Sequence, residues 1–131
     1  MTKAGTIRTW TTTTAMLSRG QFVVVDFAVA GMPNKVRPVL VVQSDAYNRK
    51  MTNSIVAMIT TNLARASEPT HLLIDIATPD GRQSGLLHPS VVNCNTLTTV
   101  RQGDVLRVLG DLSPAMMARI DQCLKVALAI P

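Results

Sequence analysis

Aromatic side chains are scarce in this chain, with one Trp, one Tyr and two Phe making 3% of 131 residues. Val, Ile, Leu, Met and Ala must therefore fill the core. Charged residues are also few, at 16% against 47% hydrophobic, which excludes a long disordered polyelectrolyte and describes a globular protein. The only cysteines are Cys94 and Cys123, and the only histidines His71 and His88. Their spacing matches neither a zinc site nor a disulfide framework, so no metal site is expected and both thiols read as reduced core residues. No apolar run approaches the roughly 18 to 20 residues needed to span a bilayer, and the polar, Thr-rich start lacks the apolar core of a secretory signal, so no membrane partner and a cytoplasmic location are expected. A nucleotide-binding glycine fingerprint, a zincin motif and a Gly-x-Ser-x-Gly elbow are all missing. Any active site has to be assembled from separate elements.

What charge there is lies unevenly. The formal net charge is +5. Residues 1–65 hold eight Lys or Arg against Asp26 and Asp45, a balance of +6, while the remainder holds five basic against six acidic residues. An excess of cations in one half suits a partner rich in phosphate or carboxylate, although mildly basic proteins with no such partner are common.

The length suits one domain. Residues 1–18, with the run Thr11 to Thr14 and the sole tryptophan, Trp10, show no apolar period and read as an arm; residues 19–131 read as a single domain. The β-branched stretch Gln21 to Phe27 predicts a strand, and Ala28 to Asn34 a loop. A second, nearly unbroken apolar strand follows over Val36 to Gln43, with Pro38 at its start or edge because proline cannot donate to a ladder. Ser44 or Asp45 can cap a short helical turn. Further strands are expected over Ser54 to Thr60, His71 to Asp75, Ser90 to Asn95 and Val105 to Gly110, with a turn at Pro79-Asp80-Gly81. The clearest helix begins at Ser113, an N-cap followed by Pro114 at the first helical position, with Met117, Ile120, Leu124, Ala127 and Leu128 at helical spacing. The pattern is mainly β, an α+β chain with a compact, strongly bent sheet and a C-terminal helix.

Two polar pairs could carry chemistry. Lys35 and Arg37 stand at a loop-to-strand junction, and Thr60 and Thr61 at a strand end. A guanidinium offers a planar fork of donors and a hydroxyl adds another without an opposing charge, which together make a phosphate cradle. Read alone, an arginine before a strand is most often a solvated surface group, and a strand threonine is there for its shape.

The order of blocks adds to this. Arg19-Gly20-Gln21 leads into Val23-Val24-Val25-Asp26-Phe27; Lys35-Val36-Arg37-Pro38-Val39-Leu40-Val41-Val42-Gln43-Ser44-Asp45 follows a Gly-containing loop; then come Ile55 to Asn62, Pro69 to Asp75 and Ser90-Val91-Val92. With the terminal Met117 to Asp121 and Leu124, this series resembles the MazF/PemK toxins of type II toxin–antitoxin pairs, over roughly Arg19 to Ile130. The resemblance implies an SH3-like barrel of the MazF/PemK/CcdB type with a C-terminal helix. It also implies a homodimer acting on single-stranded RNA as an endoribonuclease that needs no metal or other cofactor, with a cognate antitoxin protein as its inhibitor. Arg37 and Thr60 match the family's catalytic arginine and Ser/Thr, and Lys35, Thr61, Gln43, Ser90 and Asn95 are the expected substrate-binding residues. The alternative is a member of the same fold with a weakened site that binds RNA or another protein. A gyrase-poisoning relative is disfavoured, because the chain ends Leu128-Ala129-Ile130-Pro131 without the tryptophan expected there. The sequence departs from the family in one block: Asn95 stands where many relatives carry an acid that in some members is the proposed general base, and a carboxamide takes up no proton at neutral pH.

Overall fold

The computed structural model describes residues 16–30 and 36–131. Trp10, the threonine run and most of the expected arm lie outside the described residues. Six strands, β1 (Gln21–Asp26), β2 (Val36–Val41), β3 (Asn53–Thr60), β4 (His71–Ile74), β5 (Ser90–Arg101) and β6 (Val105–Asp111), form one antiparallel sheet in the order β4-β5-β3-β2-β1-β6. Among the described residues there are three helices: α1 (Asp45–Lys50) and α2 (Pro79–Gln83) lie between strands, and α3 (Pro114–Leu128) follows β6. Short 3-10 turns cover Phe27–Ala30 and Gln102–Asp104.

Both faces of the central strands are buried, which is why β1 and β2 read as unbroken apolar runs rather than alternating ones. One face carries Phe22, Leu40, Ala57, Ile59, Leu72, Ile74 and Val92, packed under Ile120 and Cys123 of α3. The opposite face carries Val23, Val25, Val39, Val41, Val56 and Val100, joined by Leu17 and Phe27. Leu17 is only 5% exposed, and its N–H donates to Gln102 Oε1 at 3.0 Å, so this residue packs with the sheet.

Helix α3 starts as its sequence predicts, the Ser113 hydroxyl accepting from Met116 N–H with Pro114 following. It is tied to the turn before β1 by Arg19, whose guanidinium donates to Asp121 Oδ1 at 2.7 Å and to the Val42 carbonyl at 2.7 Å. Helix α1 is capped by Ser44.

Two boundaries differ from expectation. Pro79 to Gln83 is a one-turn helix rather than a bare turn, and its cap, Thr78 before Pro79, repeats the Ser113-Pro114 signal on too short a segment to show a period. The fifth strand runs on to Arg101 instead of stopping at Asn95. Its register against β3 jumps from Asn93↔Met58 to Leu97↔Ala57, leaving Cys94, Asn95 and Thr96 as a bulge that interrupts the apolar pattern midway. Gly110 lets β6 run against α2: a Cβ there would collide with the backbone of Gln83 and Ser84.

Candidate functional site

The main ladder between β2 and β3 is short, with Val39, Leu40 and Val41 opposite Met58, Ala57 and Val56. Val42 N–H donates to the Ile55 carbonyl at 3.0 Å, so its amide points toward β3. Amides alternate along a strand, hence the backbone nitrogens of residues 40 and 38 point the same way. Residue 38 is proline and has no hydrogen to give. The pairing therefore ends where the next bond would form, and the two strands are released from each other at that end of the sheet.

Arg37 and Thr60 stand at this release point. Extending the register by two residues on each strand places them opposite each other, and paired residues share a face. Arg37 also pairs with Val25 of β1, and Thr60 with Val91 of β5. Both residues are half-buried. Arg37 makes no hydrogen bond or ion pair with any described residue; the one salt bridge among the described residues is that of Arg19 with Asp121. Thr60 Oγ1 accepts the Asn62 N–H at 3.0 Å, which fixes the side chain and leaves its own O–H proton available as a donor. The extended register thus sets a fixed hydroxyl level with a guanidinium that no described residue engages, a pair of groups suited to phosphate.

The other expected site residues are distributed differently. Lys35 lies outside the described residues, as do residues 31–34 of the expected loop. Thr61 is exposed beside Thr60. Gln43 stands at the far end of β2, its amide donating to Asn48 Oδ1 at 3.1 Å and to the Asn53 carbonyl at 2.9 Å. Ser90 is 3% exposed, and its hydroxyl donates to the His88 carbonyl at 2.8 Å. As placed, Gln43 and Ser90 use these groups within the fold.

Asn95 is exposed on the bulge of β5 and is held there by a chain of side chains. Its N–H donates to Asn93 Oδ1 at 2.9 Å, and its Nδ2 donates to Thr70 Oγ1 at 2.8 Å. Thr70 Oγ1 lies 2.8 Å from His71 Nδ1. Asn93 Nδ2 in turn donates to Thr96 Oγ1 at 3.0 Å. Asn93 pairs with Met58 on one side and with His71 on the other, so these residues form a row next to the one that holds Thr60 and Arg37, on the same face. The sequence reading missed Thr70, Asn93 and Thr96; the clustering of four hydroxyl and amide residues around the bulge was the available signal.

Cys94, between the two asparagines, points into the core at 1% exposure, next to Cys123. Burial, with the neighbouring Cys123 thiol, pushes the Cys94 thiol up to about 12, and burial also raises that of Cys123. Neither is a nucleophile at neutral pH. Among the described residues, no three His, Cys, Asp or Glu side chains gather as metal ligands would, and no helix is long and apolar enough to cross a membrane.

Comparison with known proteins gives the family and the fold. Residues 18–128 match the family described as PemK-like, MazF-like toxin of type II toxin-antitoxin system. The chain is 31% identical over 117 residues to "Endoribonuclease EndoA" of Bacillus subtilis, covering 88% of this chain and 97% of that protein. It is 34% identical over 94 residues to "Endoribonuclease MazF6" of Mycobacterium tuberculosis, covering 71% and 78%. Among solved structures, a mycobacterial endoribonuclease in complex with its cognate antitoxin superposes with a TM-score of 0.71 at 26% identity, over 88% of this chain and 97% of that one. A MazE–MazF complex from Deinococcus radiodurans gives 0.68 at 16% identity over 88% and 98%, a likeness of fold.

Proposed function

This chain belongs to the PemK-like, MazF-like toxins of type II toxin–antitoxin systems, and from that premise we propose that it cuts single-stranded RNA with Arg37 and Thr60 as its catalytic pair. It is an endoribonuclease and the toxin of such a pair, working in the cytoplasm where messenger RNA is found. The observation that supports the residue assignment is the register of β2 against β3: continued two residues past Val39 and Met58, it brings Arg37, which no described residue engages, level with the fixed Thr60 hydroxyl, where Pro38 ends the ladder.

The chemistry asks little of the protein. RNA carries its own nucleophile, the 2′-hydroxyl, adjacent to each phosphate. Attack forms the 2′-O–P bond and breaks the P–O5′ bond; the 2′-oxygen loses a proton and the 5′-oxygen gains one. The products are a 2′,3′-cyclic phosphate and a 5′-hydroxyl. Charge builds on the non-bridging oxygens of the pentacoordinate phosphorus, where Arg37 neutralises it and Thr60 donates its O–H. Holding the sugar and phosphate in line supplies the rest. No step in this sequence calls for a metal ion.

Asn95 cannot take the 2′ proton, so positioning and electrostatics carry the reaction here. The antitoxin is read as an acidic segment that folds along the basic surface and covers Arg37. A homodimer fits the exposed apolar side chains of Leu106 and Val108 on the edge strand β6.

The test is incubation of purified protein with a long unstructured RNA in the presence of chelator. Wild-type protein is expected to cut at defined sites. Arg37→Ala should lower the rate by about 10²- to 10³-fold, the cost of losing one preorganised donor to a developing oxyanion, and Thr60→Ala by a smaller factor. Intact RNA across a panel of sequences would instead assign the chain to RNA or protein binding without cleavage.

A further inference from the structure

The chain has two cysteines, and the fold brings them together. Cys94 is the inner residue of the β5 bulge and Cys123 stands on the buried side of α3, at 1% and 6% exposure. Consecutive carbonyls where β4 begins hold both residues: that of Thr70 accepts the Cys94 N–H at 3.0 Å, and that of His71 accepts the Cys123 S–H at 3.6 Å. With this shared anchor the two thiols interact directly. Nothing in the cleavage chemistry uses either of them.

A single buried free cysteine commonly serves as a small hydrophobe. Two in contact differ, because together they can lose two hydrogens and become one covalent bond. That bond would close a loop over residues 95–122, which holds the second half of β5, the whole edge strand β6 and the first part of α3. Closing such a loop restricts the unfolded chain and so favours the folded one.

The two thiols are not equivalent. Burial raises the Cys123 thiol, but the Arg119 guanidinium, one turn earlier on α3, favours its ionised form and opposes the rise. For Cys94, burial and the neighbouring Cys123 act in the same direction. Cys123 is therefore the attacking thiol and Cys94 the resolving one.

We propose that Cys94 and Cys123 form a redox staple: a low-molecular-weight disulfide converts the pair into a bond that locks α3 to the bulge of β5, and a thiol reductant reverses it. The Cys123 sulfur, as thiolate, attacks one sulfur of the small disulfide, which forms a mixed disulfide and releases one small thiol. The Cys94 sulfur then attacks the Cys123 sulfur, and the second small thiol leaves. Each protein thiol gives up one proton, which ends on a released thiol; the protein loses two electrons and the small disulfide gains them. Burial keeps both thiols protonated in the closed fold, so the exchange runs through local opening of α3 and takes minutes to hours.

The test is incubation of the purified full chain with oxidised glutathione near neutral pH, where the protein is folded, followed by alkylation and intact mass. The expected product has lost two hydrogens, carries no glutathione and yields a linked Cys94–Cys123 peptide pair on non-reducing digestion. Its thermal midpoint should rise by about 10 °C and return with dithiothreitol. Cys94→Ala should stop with one glutathione on Cys123, and Cys123→Ala should take up glutathione about 10-fold more slowly. Wild-type protein overturns the inference if it keeps both thiols free, forms the link only in denaturant, holds glutathione without closing the pair, or melts lower once oxidised. Equal uptake by the two variants overturns the order of attack. The wild-type result decides the matter even where a variant fails to fold. RNA cleavage enters none of these readouts, so the ribonuclease reading stands or falls separately.

Discussion

The two ends of the β2–β3 pair differ in what they do with their polar groups. At the α1 end, the polar side chains pair with one another and with the backbone. Asn48, 1% exposed, accepts from Gln43 Nε2 at 3.1 Å and from Ser54 Oγ at 2.7 Å, and donates to the Gln43 carbonyl at 3.1 Å. Its own carbonyl accepts from Gln102 Nε2 at 2.7 Å. At the Pro38 end, the ladder stops, Arg37 has no partner among the described residues, and the Thr60 hydroxyl keeps a free proton. Buried polar groups stabilise a fold only when satisfied, so the closed end contributes to stability, while the open end holds the groups proposed to meet the RNA. Substitutions at the two ends should therefore separate stability from activity.

The largest stability effect belongs to the closed end. Asn48→Ala removes the carboxamide and strands the Ser54 hydroxyl, which is 0% exposed, and the Gln43 backbone carbonyl. The expected loss is about 3 kcal/mol, read as a shift in the urea midpoint. The rate per folded molecule should stay at the wild-type value. A large fall in that rate at temperatures where the variant is folded would break the division between the two ends.

Pro38 sharpens the comparison from the other side. Pro38→Val supplies the missing N–H, which can donate to the Ile59 carbonyl and extend the ladder by one more pair. A new hydrogen bond adds about 1 kcal/mol, and losing the proline's restraint on the unfolded chain costs about as much, so the midpoint should hardly move. Cleavage should slow by about 10- to 100-fold, because closing the strands narrows the space between Arg37 and Thr60 that a phosphate has to enter. Unaltered turnover in Pro38→Val would show that the end of the ladder has no part in the site.

Much of this was legible in the sequence. Each segment read as a strand is a strand, because β-branched runs between turn residues leave few other options, and the Ser113-Pro114 cap marked α3 to the residue. The one-turn α2 and the continuation of β5 were not legible. A single turn shows no period, and three inserted residues shift the inside-outside alternation of a strand so that its second half, Leu97 to Val100, looks unrelated to the first. Arg37 and Thr60 were singled out by residue type and by family resemblance, but their opposition is a property of register, which no local pattern carries. For Gln43 and Ser90 the sequence showed polar side chains near strand ends; the inward direction of their hydrogen bonds depends on partners, Asn48, Asn53 and His88, that are placed only once the chain has folded.

The bulge joins the two modes, with Asn95 outside and Cys94 inside, and its inner residue gives a pH signature. The Cys94 thiol is raised from the ordinary 9.0 to about 12, chiefly by burial. A raised folded value means that the folded state holds the proton more tightly than the unfolded chain does. The stabilisation is therefore complete below pH 9 and is lost as pH rises from there toward 12. At pH 8 the unfolded thiol is still protonated and nothing is lost; at pH 10 the unfolded chain ionises while the folded one does not, which costs about 1.4 kcal/mol. Denaturant midpoints measured at pH 8 and pH 10 should fall further in wild type than in Cys94→Ala by that amount, after the constant offset for the deleted sulfur is removed. Equal slopes in the two proteins would mean that the thiol meets water in the folded state. The bulge would then be too open to hold Asn95 still, and the rigidity attributed to the outer face would lose its foundation.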